Sequence, residues 1–169
     1  MAITGKDLCQ KAIDIATGVY GQTHYRLTSN KDDDGGGAYN IGRWDGESFC
    51  FDCSGLIKSI IWGFSGDKNG NYGGASYNTN GCPDINDAGF GQYCNNSIST
   101  VNTAPPGAVL WKNGHVGIYC GNGNTVECSY NTARVSKGTV QTSGARTVEG
   151  TSYGNWEAWG CPSFINYTE

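Results

Sequence analysis

A chain of 169 residues has room for one domain with a sizeable core. Only 37% of residues are hydrophobic, but five Trp, ten Tyr and five Phe supply enough apolar surface to argue against disorder. The net charge of −4 comes without a basic block, so no nucleic acid partner is expected.

No run approaches the roughly 18 apolar residues of a membrane span. The first residues, Met1 to Asp7, have neither the charged n-region nor the apolar h-region of a signal peptide. A helix is predicted over 6–20, where Leu8, Ala12, Ile15, Ala16 and Val19 recur at helical spacing between a Thr4 cap and a Gly21 stop. Asp32-Asp33-Asp34-Gly35-Gly36-Gly37 reads as a solvated loop. A second helix is predicted over 53–64, with Leu56, Ile57, Ile60, Ile61 and Phe64 as its apolar stripe.

From Gly66 to Pro106 the chain is rich in Gly, Asn, Ser and Tyr and shows little periodicity, the mark of a functional loop or insertion. Asp67-Lys68-Asn69-Gly70-Asn71 has the start of a calcium loop, but Tyr72 stands where glycine is needed and no Glu closes it. After Pro105-Pro106-Gly107, short strands are predicted at 108–111, 115–120 and 125–129. More follow around Val135 and Val140, and a last strand or extended segment lies within 156–162. With no repeat or linker, residues 1–169 are expected to form one α+β domain, its helices packed on an antiparallel sheet, with an insertion at about 66–106.

Cys53 opens the second predicted helix within Phe51-Asp52-Cys53-Ser54-Gly55-Leu56. A thiol there sits in the positive field of a helix start, which favours thiolate. Asp52 is the expected N-cap. The small Ser54 and Gly55 leave room for a substrate carbonyl, and a backbone N–H here is placed to hold an oxyanion. Two other readings of the same cysteine stand beside this one. Cys50 and Cys53 form a C-x-x-C at a helix start, as in thiol–disulfide redox proteins, though no strand precedes it in a βαβ frame. A closed zinc site would need a second C-x-x-C or a paired His, and neither is present. Eight cysteines allow four disulfides, but if Cys53 stays reduced at least one of the other seven is unpaired.

There are two histidines, His24 and His115. His24 has no chemical setting. His115 opens the segment His115-Val116-Gly117-Ile118-Tyr119-Cys120, and Thr125-Val126-Glu127-Cys128-Ser129 follows a glycine-rich turn. If Val116, Ile118 and Cys120 share the core face with Val126 and Cys128, then His115 and Glu127 share the other face. That requires a three- or five-residue loop; a two-residue loop would oppose the two apolar sets. A carboxylate beside the imidazole would fix its tautomer and orient it toward Cys53.

Phe51-Asp52-Cys53-Ser54-Gly55-Leu56, Pro106-Gly107-Ala108-Val109 and His115-Val116-Gly117-Ile118-Tyr119 together resemble the NlpC family of papain-like cell-wall cysteine peptidases. The resemblance implies Cys53, His115 and Glu127 as the catalytic set, Glu127 standing twelve positions after His115. Thr23-His24-Tyr25 resembles the family motif whose tyrosine hydroxyl helps hold the oxyanion, which makes Tyr25 the candidate and Tyr39 the alternative; Asp52 and Ser54 would flank the substrate. The family commonly has Gly-Asp where this chain has Gly107-Ala108. The implied activity is hydrolysis of the peptide stem of bacterial peptidoglycan, as a D-γ-glutamyl endopeptidase or an N-acetylmuramoyl-L-alanine amidase, by a monomer that needs no metal or cofactor. The Trp156 to Tyr167 stretch resembles the ends of phage and prophage lysins, which implies action at the cell wall after release from a lysing cell.

Overall fold

The computed structural model describes residues 2–26, 40–70, 72 and 79–168. It begins with a short strand, β1 (Ile3–Thr4), and helix α1 (Gly5–Ala16). Thr4 caps α1 as expected, its hydroxyl accepting the Asp7 N–H at 3.0 Å. The helix stops short of residue 20. Thr17 turns its hydroxyl back onto the Ile13 carbonyl at 2.9 Å, and Gly18 takes a left-handed φ of +87°, so the chain leaves the helical path. Leu8, Ala12 and Ile15 are buried, whereas Val19, assigned by periodicity to the same stripe, is exposed.

Three short strands follow: β2 (Thr23–Tyr25), β3 (Ile41–Trp44) and β4 (Phe49–Phe51). They form a small sheet in the order β2-β4-β3, with β2 parallel to β4. The sequence reading missed all three, because each is too short to show alternation. The aspartate run at 32–34 and Tyr39 lie outside the described residues. Helix α2 (Cys53–Ile61) also ends early: Gly63, at φ +107°, turns the chain after Trp62. Phe64 stays buried beyond the helix through edge-on contacts with Phe49 and Phe51.

The described part of 66–106 is not a loop apart from the core. It contains α3 (Asp87–Gly91), β5 (Asn96–Ser97) and two short 3-10 turns, and it buries Tyr72, Cys82, Phe90, Cys94 and Val101. Each short element contributes one or two anchors, so no period of 2 or 3.6 builds up in the sequence.

The main sheet takes the remaining strands: β6 (Val109–Lys112), β7 (His115–Tyr119), β8 (Asn124–Ser129), β9 (Arg134–Val140), β10 (Arg146–Val148), β11 (Thr151–Tyr153) and β12 (Ala158–Gly160). Its order is β11-β10-β9-β8-β7-β6-β12-β5, antiparallel at each junction. Val135 and Val140 belong to one strand, β9. A final strand, β13 (Ile165–Asn166), runs parallel to β1. On one face of the main sheet Val116, Ile118, Val126 and Cys128 pack with Leu8, Leu56 and Ile57 of the helices. On the other, Leu110 and Tyr119 pack with Trp156 and Trp159. The expected class, helices on an antiparallel sheet, is what the chain forms. A disulfide joins Cys9 of α1 to Cys120 at the end of β7. Among the described residues no helix is long and apolar enough to cross a membrane.

Candidate active site

The β7–β8 hairpin supplies the centre of the site. Ile118 pairs with Val126 and Tyr119 with Thr125. The turn closes with Cys120 N–H to Asn124 O at 2.8 Å and Asn124 N–H to Gly121 O at 2.9 Å, leaving a three-residue loop, one of the two lengths the alternation permits. Carried on, this register sets Glu127 opposite Gly117. His115 and Glu127 therefore lie diagonally on one face, and His115 Nε2 is 2.7 Å from Glu127 Oε1. That face is not open to solvent. Glu127 is fully buried, and the second core layer covers it.

Gly117 makes the pairing possible. A Cβ on it would fall 2.9 Å from the Trp156 ring and 3.4 Å from Glu127 Cβ. In the space it leaves, Trp156 stacks on the His115 imidazole, with centroids 5.3 Å apart and planes 12° from parallel. Arg146 of β10 grips the far side of the carboxylate, its Nε 3.0 Å from Glu127 Oε2 and its Nη2 on Oε1. The guanidinium also lies over the Trp156 ring, 5.2 Å from its centroid. Burial works against charge on Glu127, but the hydrogen bonds and charges of His115 and Arg146 outweigh it and hold the carboxyl below its ordinary range. With Nε2 committed to Glu127, Nδ1 is the ring nitrogen left for proton exchange.

Cys53 is the first residue of α2. Asp52 caps the helix, its Oδ1 accepting the Gly55 N–H at 2.6 Å while Asn40 Nδ2 donates to Oδ2 at 2.8 Å. Gly55 serves this cap rather than an incoming substrate. A Cβ on it would run into the Asn40 carbonyl and sit 2.6 Å from Asp52 Oδ1. The Ser54 hydroxyl is buried and lies 3.4 Å from Asp52 Oδ1, and the residue meets the Cys53 sulfur through its backbone N–H. The Val116 N–H also points at the Cys53 sulfur, which puts the thiol against the residue next to His115.

The expectation of a thiol poised as thiolate is reversed. Burial pushes the Cys53 thiol up to about 12, the Asp52 carboxylate adds to the rise, and the Val116 and Ser54 N–H groups offset only part of it. The helix-start field acts through the Ser54 N–H, whereas the Val116 N–H comes from β7, and the cap that creates the helix start is itself an anion beside the sulfur. A thiol raised this far favours the protonated form at neutral pH.

Tyr25 is far from Cys53 in sequence but near it in space. Because β2 and β4 run parallel, Tyr25 pairs with Phe51, two residues before Cys53. Burial, then the charges of Cys53 and Asp52, raise the Tyr25 hydroxyl above its ordinary range, so it stays a hydrogen-bond donor. Its ring meets Tyr130 edge-on at 5.7 Å. Tyr25, Lys112, His115, Tyr130, Asn131 and Arg146 border a cleft of about 180 Å³ at this point. His24 is exposed. Cys50 points elsewhere, its thiol donating to Asp45 Oδ2 at 3.3 Å.

No family model matches the chain, and no curated protein matches it. Among solved structures, it is similar to the crystal structure of the P60 domain from an antigen of M. avium subspecies paratuberculosis, with 18% identity and a TM-score of 0.46 over 90% of this chain and 95% of that one. A likeness of that size assigns no family.

Arg146 and Trp156 were not anticipated as parts of the site. Arg146 lies in no motif. The one hint available was that a buried carboxylate needs a countercharge, and that does not choose among eleven Lys and Arg residues. Trp156 reads as core packing, which is half of what it does. Among the described residues no group of three or more His, Cys, Asp or Glu side chains is arranged to hold a metal ion.

Proposed function

We propose that this chain is a cysteine peptidase that hydrolyses amide bonds in the peptide stem of bacterial peptidoglycan, as a D-γ-glutamyl endopeptidase of the NlpC type acting at the cell wall. The observation that carries the reading is the His115–Glu127 pair, 2.7 Å apart and braced by Arg146, beside a helix-start cysteine whose sulfur meets the Val116 N–H.

In this mechanism Cys53 Sγ adds to the amide carbonyl carbon while His115 Nδ1 takes its proton. Charge developing on the carbonyl oxygen meets backbone N–H at the α2 start and the Tyr25 hydroxyl. His115 returns the proton to the leaving amine. Water then attacks the thioester, giving a proton to His115 and releasing the acid, and the thiol is restored. Glu127 stays ionised throughout and holds the imidazole by Nε2. Because the thiol favours the protonated form, His115 acts as a true general base rather than as half of a standing ion pair.

The divergent directions of the Cys50 and Cys53 sulfurs favour this reading over a dithiol redox protein. The test is digestion of purified peptidoglycan by wild type and Cys53→Ala, with mass analysis of the fragments. Soluble muropeptides from wild type alone support the peptidase. New ends within the stem mark an endopeptidase, and a cut at the muramic acid marks an amidase. Several wall types left intact by both proteins under reducing conditions would overturn the reading.

A further inference from the structure

β5 and β12 pair antiparallel, with Ala158 opposite Ser97 and Trp159 opposite Asn96. The pairing ends there; continued by two residues, the same register would bring Cys161, just past β12, opposite Cys94. The approach is close at that end. A Cβ on Gly160 would meet the Tyr93 carbonyl and lie 2.7 Å from Cys94 Cα, so the two backbones touch just before the cysteines. Directly opposed residues of an antiparallel pair have Cβ atoms about 4.5–5.5 Å apart on the same face, close to the separation a disulfide spans. After burial, the Cys161 thiol is what raises Cys94, and both lie near enough to add to the rise of the buried Tyr167 hydroxyl.

We propose that Cys94 and Cys161 form a second disulfide, which staples the end of the α3 segment to the end of β12. Cys161 is exposed and Cys94 is buried, which sets the order of the chemistry. The Cys161 thiolate attacks a small-molecule disulfide, forming a mixed disulfide and releasing one thiol. Cys94, giving up its proton, then attacks the Cys161 sulfur and releases the second thiol. The protein loses two protons and two electrons, and the small disulfide is reduced to two thiols.

In the reduced form the Cys94 thiol faces the Phe90 and Val109 carbonyls, each at 3.6 Å, and would leave these longer contacts on forming the bridge. The other cysteines have different engagements. Cys9 and Cys120 are bridged, Cys82 donates to the Pro83 carbonyl at 3.4 Å, and Cys128 donates to the Phe51 carbonyl at 3.3 Å. The bridge would lie at the other end of the α3 segment from Asp87, whose charge adds a little to the rise of Cys53 and Tyr25. It does not depend on the peptidase reading.

The test is peptide mapping of the full chain after incubation with oxidised glutathione, alkylation under denaturing, non-reducing conditions and digestion with chymotrypsin, whose sites at Phe90 and Tyr93 separate Cys82 from Cys94. The expected result is one cross-linked pair carrying Cys94 and Cys161. It should disappear on reduction, and in Cys161→Ser it should be replaced by an alkylated or glutathione-bound Cys94. Alkylation of both Cys94 and Cys161 in a sample where Cys9 and Cys120 are joined would overturn the proposal, as would Cys94 linked to any other cysteine.

Discussion

Arg146 and Glu127 are joined inside the fold by two charge-assisted hydrogen bonds, with Nε 3.0 Å from Oε2 and Nη2 on Oε1, and no solvent reaches the carboxylate. The His115 imidazole hangs from the same carboxylate. The pair is thus both a structural ion pair and the support of the proposed base.

Removing one partner leaves a buried charge without compensation. Arg146→Met is expected to lower stability by about 3–5 kcal/mol, measured by chemical denaturation. The double variant Arg146→Met/Glu127→Gln should lose clearly less than the sum of the two single losses, because the stranded charge is gone. Additive losses would show that the two residues are not coupled.

The Glu127 carboxyl is held below its ordinary 4.5 despite burial, by the hydrogen bonds and charges of His115 and Arg146. A folded-state pKa below the unfolded value adds stability that is present above about pH 4.5. That stability is lost as pH falls through the folded pKa. The thermal midpoint of wild type should therefore fall more steeply below pH 4.5 than that of Glu127→Gln, measured by scanning calorimetry across pH 7 to 3. Parallel profiles would contradict the assignment.

Asp52→Asn separates the two roles of the cap. Asparagine caps a helix about as well as aspartate, so α2 should hold, but the anion beside Cys53 is removed. The Cys53 thiol, now pushed up to about 12, should titrate lower. Alkylation by iodoacetamide at pH 8 should be faster in the variant than in wild type, followed by mass analysis of the Cys53 peptide. An unchanged rate would mean that Asp52 does not govern the thiol.

Gly117→Ala puts a methyl 2.9 Å from the Trp156 ring, in a layer where overpacking costs about 1–3 kcal/mol. The proposed peptidoglycan hydrolysis should fall further than the loss of folded protein explains, because Trp156 is what the imidazole rests on. Trp156→Phe is the control. The indole N–H is buried with no acceptor among the described residues, so losing it costs little while the stack remains. Trp156→Ala should cost about 3–5 kcal/mol.

By itself the sequence determined the local parts of this protein. Thr4 and Asp52 could be named as caps because capping depends on a few neighbouring residues. The placing of His115 and Glu127 on one face followed from strand alternation and the length of one turn, both local quantities. The class followed from two apolar helical stripes and a run of short strands.

Only the tertiary structure decided what spans distant segments. The parallel pairing of β2 with β4 brings Tyr25 to Cys53, and no local spacing rule expresses a pairing between segments so far apart in sequence. Arg146 and Trp156 reach Glu127 and His115 from strands and loops later in the chain, and nothing near them in sequence marks the meeting. The protonation of Cys53 also belongs to this level. The helix-start field is written locally, but the desolvation that outweighs it comes from everything packed around the sulfur.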